Sequence, residues 1–182
     1  MKDNQRVALT KHLLREGLLR LMNTKPLDKI NVSELCNESG INRATFYRHY
    51  ELPRDVLRDI EQELIEDLHI RDLNARSMQE IERFSENLLT RLYERADILK
   101  ILIRNRSDEE FSNVINELYV VMYRTIHSMQ GGNDLDEDSA KLLSAYTVGG
   151  VYFLLRQWLI SGINKSPKEV SKLIFRFLIK NP

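Results

Sequence analysis

Cysteine is almost missing from this 182-residue chain. Cys36 stands alone, which excludes an internal disulfide framework and any zinc site built from clustered thiolates. Glycine (seven) and proline (four) are scarce too, so the punctuation that many short strands would need is lacking. No run approaches about 18 apolar residues without a charge, and the opening MKDNQRVALTKHLL has no uninterrupted apolar core. Neither a membrane span nor a signal peptide is expected; the expectation is a soluble, cytoplasmic protein. Net charge is absent as well, since 27 basic residues balance 27 acidic ones, which argues against a non-specific polyanion binder. The four histidines, His12, His49, His69 and His127, are scattered. Only His69 has a candidate second ligand, Asp72, one helical turn away, a spacing more typical of a solvated helix face. Gly-rich phosphate loops, H-E-x-x-H and serine-nucleophile motifs are all missing, and the carboxylates are spread along helix surfaces. No metal, no cofactor and no enzymatic activity are expected.

What is present is a helical pattern. Apolar residues recur at three- and four-residue intervals throughout, predicting helices near 4–23, 32–39, 43–50, 53–72, 78–95, 96–105, 108–129, 137–162 and 167–180. Start signals agree with these ranges. Ser77–Glu80, Ser107–Glu110 and Ser166–Glu169 are S-x-x-E capping boxes, the last with Pro167 at the first helical position. Asn31 with Glu34 and Asn42 with Thr45 mark two further starts, close together. Gln130-Gly-Gly-Asn133 is the clearest loop, and the acidic run Asp134 to Asp138 suits the N-terminal partial charge of the helix after it. The predicted class is all-α. Charge is unevenly placed: residues 1–60 hold 11 basic against 8 acidic side chains, while the remainder holds 16 against 19. The N-terminal end is the one suited to a polyanion.

The informative stretch is 31–50, NVSELCNESGINRATFYRHY. It reads as an eight-residue helix, a turn at Gly40-Ile-Asn42 and a second short helix. Such a pair buries little by itself, so Leu14, Leu18, Leu21 and Met22 of the first helix are expected to pack on Leu35, Ile41 and Phe46. Projected at about 100° per residue, Phe46 and Tyr50 share the inner face of 43–50. Ala44, Thr45, Arg48 and His49 share the outer face, with Arg43 and Tyr47 at its borders. That outer surface suits a DNA major groove: alanine permits close approach, hydroxyls and His reach phosphates, and Arg can pair bidentately with guanine. A solvated face on an ordinary helical hairpin is the alternative at this point.

GINRATFYRHY followed by ELPRDVL resembles the DNA-binding segment of the TetR family of bacterial transcriptional regulators, over roughly the first 50 residues. The resemblance implies an N-terminal three-helix DNA-binding domain with a helix-turn-helix, residues 1–52. A larger helical domain for effector binding and dimerisation, residues 53–182, would follow it. Thr45, Tyr47 and His49 are then phosphate contacts, and Arg43, Ala44 and Arg48 are candidates for reading base edges. Asn42 caps the recognition helix, and Asn31 stands where the family usually has a capping, phosphate-touching Thr. Pro26 replaces a usual glycine. Pro53 replaces the lysine that grips a phosphate at the start of the fourth helix, leaving Arg54 or the helix N-terminus for that contact.

The segment AYTVGGVYFLLRQWLISGINKSPKEVSKLIFRFL resembles the dimerisation helices of one TetR subgroup. The expected interface is Tyr146, Gly149, Gly150, Phe153, Trp158, Leu173, Ile174 and Phe177. Two glycines inside a helix cost about 1 kcal/mol each against alanine, and close helix approach would explain them. Phe84, Leu88, Leu92, Tyr93, Leu102, Tyr119, Met122, Tyr123 and Ile126 are the candidates for an apolar effector pocket, the effector being an unidentified small molecule. The expected function is a ligand-responsive transcriptional regulator, a repressor, binding double-stranded palindromic DNA as a homodimer. The rival is a helical protein-interaction module or co-activator that has lost autonomous DNA binding.

Overall fold

The computed structural model describes residues 2–73, 77–105, 112–129 and 136–179. They form α1 (Lys2–Met22), α2 (Val32–Ser39), α3 (Arg43–Phe46), α4 (Pro53–Asp67), α5 (Met78–Glu94), α6 (Ala96–Arg104), α7 (Ser112–Met129), α8 (Glu137–Ile160) and α9 (Pro167–Ile179), with short 3-10 turns at Leu27–Lys29 and Ile70–Asp72. No strand occurs among the described residues.

Helix starts follow local side-chain chemistry. Asn31 Oδ1 accepts the Glu34 N–H at 3.0 Å while Glu34 Oε2 accepts the Asn31 N–H at 3.1 Å, a complete capping box. Ser166 and Glu169 exchange the same pair of bonds, and Ser77 Oγ accepts from the Glu80 N–H. Asp136 starts α8, accepting from both the N–H and the hydroxyl of Ser139. The Ser107–Glu110 box and the Gln130–Asn133 loop lie outside the described residues.

Two predicted helices are shorter than expected. The 43–50 helix is regular only to Phe46, whose carbonyl then accepts from both His49 and Tyr50, at 2.9 and 3.0 Å, and carries the winding on as a turn. The 53–72 helix ends at Asp67 because His69 adopts a left-handed conformation, φ 53°. Leu68 and Ile70 flank that reversal and are both fully buried, so the break turns both inward.

α1 lies along α2 and α4, and the fully buried Leu14, Leu18, Leu35 and Phe46 fill the space between them. Each such side chain contributes about 1.5–3 kcal/mol on leaving water. Gly17 sets the closeness of α1 to the end of α2: a Cβ there would stand 3.0 Å from Ser39 Cβ and 3.3 Å from its backbone. Gly40, at φ 67°, closes α2 in the left-handed conformation. In the second half α5 packs on α9, α7 on α8 and α6 on α8; α4 also reaches α7 and so touches both halves. Asn105, at the end of α6, donates to the carbonyl of Met22 at the end of α1.

Candidate nucleic-acid interface

α3 is held from behind and capped in front. Asn42 Oδ1 accepts the Ala44 N–H at 2.7 Å, Phe46 is fully buried, and the rings of Phe46 and Tyr50 lie 5.9 Å apart. Outward, Asn42, Arg43, Ala44 and Arg48 are exposed, with Thr45 and His49 half-buried at the edges. Tyr47 is 53% exposed, its ring edge-on to Phe46 at 5.5 Å. The cations around it sort into two groups. Lys11 pairs with Asp59, Arg15 with Glu63, Arg20 with Glu38 and Lys25 with Glu34, whereas among the described residues neither Arg43 nor Arg48 forms an ion pair. Asn31 is exposed at the start of α2, and Arg54 is exposed in the first turn of α4. Pro53 is buried at that helix's first position, so the side chain standing in for a phosphate-gripping lysine faces inward.

Charge fixes this unit in place. Tyr50 Oη donates to Asp59 Oδ2 at 2.6 Å, and Lys11 Nζ donates to the same oxygen at 2.8 Å. Partial burial pushes the Asp59 carboxyl up, but the bonds from Lys11 and Tyr50 outweigh it and hold the group below its usual value. Burial first, and then the Asp59 carboxylate, push the Tyr50 phenol well above its usual value. Lys25 beside Glu34, with the Asn31 N–H, likewise keeps the Glu34 carboxyl low. Burial raises the Cys36 thiol, with nearby Arg43 a smaller opposing influence, so Cys36 is a small core residue rather than a reactive thiolate.

The second half carries two other features. An apolar cavity of about 70 Å³ lies between α5, α7, α8 and α9. Of the residues expected there, Phe84, Leu88 and Met122 line it, joined by Ile81, Leu118, Val148, Val151 and Leu155. Leu92 and Leu102 are core instead, Tyr119 and Tyr123 are half-buried outside the lining, and the Ile126 side chain lies outside the described residues. Tyr93 is 55% exposed, stacked at 5.5 Å on Trp158. Along α8, Leu142, Tyr146 and Phe153 are 73%, 75% and 65% exposed, with Gly150 exposed between the last two and Gly149 half-buried beside it. Among the described residues, and apart from α8's own adjacent backbone, nothing comes within 4 Å of where a Cβ on either glycine would sit. Trp158 and Ile174, expected at the interface, are instead in the protomer's own core; Trp158 is 5% exposed and its Nε1–H donates to the Lys165 carbonyl at 3.0 Å. Ile174 lines the cavity, Leu173 is half-buried, and the Phe177 side chain lies outside the described residues.

His69 Nδ1 and Asp72 Oδ2 are 2.7 Å apart on an exposed surface, and no group of three or more metal-binding side chains occurs among the described residues. No described helix is long and apolar enough to cross a membrane.

A capped helix-turn-helix before an all-helical body defines a DNA-binding regulator, and comparison with known proteins specifies which kind. Residues 79–180, more than half of the chain, match the TetR family model for the C-terminal region of transcriptional regulators. The chain belongs to the TetR family, whose members are DNA-binding, dimeric transcription factors rather than enzymes. A TetR-family regulator from Syntrophomonas wolfei shares the fold at a TM-score of 0.75 and 12% identity, with 92% of each chain covered. A TetR regulator from Streptococcus agalactiae does so at 0.73 and 18%, with 98% of each covered. Thermus thermophilus FadR, a TetR-family repressor solved in complex with lauroyl-CoA, follows at 0.64 and 14%, with 92% of each covered. At these identities the likeness is one of fold. A search of curated proteins finds no significant match.

Proposed function

We propose that this protein is an effector-responsive repressor that binds a near-palindromic operator as a homodimer. The observation that carries the reading is the outward set Arg43, Tyr47 and Arg48, the two arginines outside any ion pair among the described residues, on a segment whose other face, Phe46 and Tyr50, is locked into the core. Asn31, Thr45, Tyr47, His49 and Arg54 position the protein on phosphates, while Arg43, Ala44 and Arg48 read bases. Residues 1–52 form the reading unit and 53–182 the effector and dimerisation domain, with α4 packed against both. The exposed α8 face at Leu142, Tyr146, Gly150 and Phe153 meets the same face of a second copy. A two-fold contact of this kind is self-complementary and closes at two subunits.

The apolar cavity is the effector site. Ser85 is the one polar side chain among the described residues of its lining, which suits an apolar group such as an acyl chain more than a charged one. Repression is relieved when the effector favours a dimer whose two recognition helices no longer match successive major grooves. Selection of bound sequences from random DNA tests the reading: a palindrome recovered with a defined spacer is expected. Failure to enrich any sequence at low salt would leave the protein-interaction reading in its place.

A further inference from the structure

The recognition segment ends on a tyrosine whose ring is in the core and whose hydroxyl is in an ion pair. Tyr50 is buried against Phe46, and a phenylalanine would fill nearly the same volume. The hydroxyl is therefore not needed to complete the core. What it adds is a charge-assisted bond to Asp59 on α4, at an oxygen already held by Lys11 of α1, with the Lys11 ammonium 5.4 Å from the Tyr50 ring centroid. Asp59 belongs to a row of carboxylates at four-residue intervals along α4, Asp55, Asp59, Glu63 and Asp67. Glu63 pairs with Arg15 of α1, and Asp67 pairs with Arg95 at the junction of α5 and α6. One stripe of α4 thus reaches the end of the recognition segment, α1 and the C-terminal helices in turn.

We propose that Tyr50 is a positioning residue for DNA recognition. Its hydroxyl bond to Asp59 fixes the angle of α3 on α4, and through that angle the separation of the two recognition helices in the dimer. This rests on the operator reading above. Helix-turn-helix dimers read half-sites about one DNA turn, ~34–36 Å, apart, so a reading helix free to tilt loses its preference for one spacing.

Tyr50→Phe removes the oxygen alone, and two readouts separate the possibilities. In the free protein, amide hydrogen exchange across residues 43–50 should accelerate while circular dichroism and the dimer are unchanged. On DNA, affinity for the selected operator should fall by about threefold to tenfold. The ratio between that operator and one lengthened by a base pair should shrink, and affinity for an isolated half-site should hold. Asp59→Asn, which keeps an acceptor for the hydroxyl, should retain more of the spacing preference than Tyr50→Phe. Unchanged exchange at 43–50 overturns the proposal. So does an equal loss of affinity on all three DNAs, which is what a merely structural tyrosine would give. If the wild type itself ignores spacing, the operator reading falls, and the exchange readout alone then decides whether Tyr50 holds the segment.

Discussion

Around the recognition segment the exposed side chains are Asn42, Arg43, Ala44, Tyr47 and Arg48, mostly polar or amphipathic, with Leu9 and Leu52 of the same unit exposed singly at 57% and 58%. Along α8 they are Leu142, Tyr146 and Phe153, large apolar groups left mostly exposed by the described residues. The first surface is largely polar and is solvated as it stands. The second is incomplete, and its exposed area falls only by meeting another apolar surface. The two regions differ again inside. In the N-terminal half, cations on α1 pair with carboxylates on α4, while the C-terminal half encloses the apolar cavity. One end is cross-linked by ion pairs between helices, and the other retains unfilled apolar space.

The largest effect should come from breaking the α8 face. Gly150→Leu places a side chain where its Cβ has open space among the described residues, so the change is expected to act on the contact between copies. Tyr146→Glu places a charge where the apolar contact should be. Both should give monomers with unchanged helicity, and affinity for a full palindrome should drop roughly 10²–10⁴-fold toward that of a half-site. Sedimentation of the two variants checks this; an intact dimer in both would move the interface off this face.

A middle-sized effect is expected on the other surface. Arg43→Ala and Tyr47→Ala should leave helicity and dimerisation intact, because both side chains are exposed and Tyr47 meets the core only at the edge of Phe46. Each should weaken operator binding, and loss of a base contact by Arg43 should cost about 1–3 kcal/mol while relaxing preference at one position per half-site. Tyr47→Ala, as a phosphate contact, should weaken all sequences alike. Identical specificity profiles for wild type and Arg43→Ala would mean that Arg43 reads no base.

The contrast between the two regions also explains what could be read in advance. Helix starts at Asn31, Asn42, Ser77 and Ser166 were legible because a cap is local chemistry, two or three residues in length. The inward turn of Phe46 and Tyr50 was legible for the same reason, as helical periodicity. The end of α4 was not, since nothing in the letters around His69 marks a left-handed residue. The C-terminal half resisted more. Core, cavity and interface are all apolar at helical spacing, so Trp158 and Phe153 look equivalent in sequence, yet one is buried and the other exposed. Tyr93 was expected in the pocket and instead covers Trp158 from outside, because stacking partners 65 residues apart leave no local trace. Tyr50, Asp59 and Lys11 were invisible together on the same grounds: the ion pair spans 48 residues.

The smallest expected effect lies at the start of α4, where the two regions join. Phosphate contacts made by lysine or arginine release counterions, and each adds about one to the slope of log affinity against log salt. The contacts assigned to Asn31, Thr45, Tyr47 and His49 carry little formal charge, so the wild-type slope should be shallow for a DNA-binding dimer. Arg54 is exposed in the first turn of α4, while Pro53 is buried at the position before it. Arg54→Ala should therefore weaken binding to every sequence about equally and lower the slope by about one per half-site. Pro53→Lys starts from an inward-facing position and gives up a residue whose fixed φ suits the first helical turn. It should gain less than a lysine on an outward position would, and its slope should stay near that of the wild type. A slope raised by one in Pro53→Lys would show that the lysine reaches a phosphate despite the buried start, and an unchanged slope in Arg54→Ala would leave the α4 helix terminus itself as the phosphate contact.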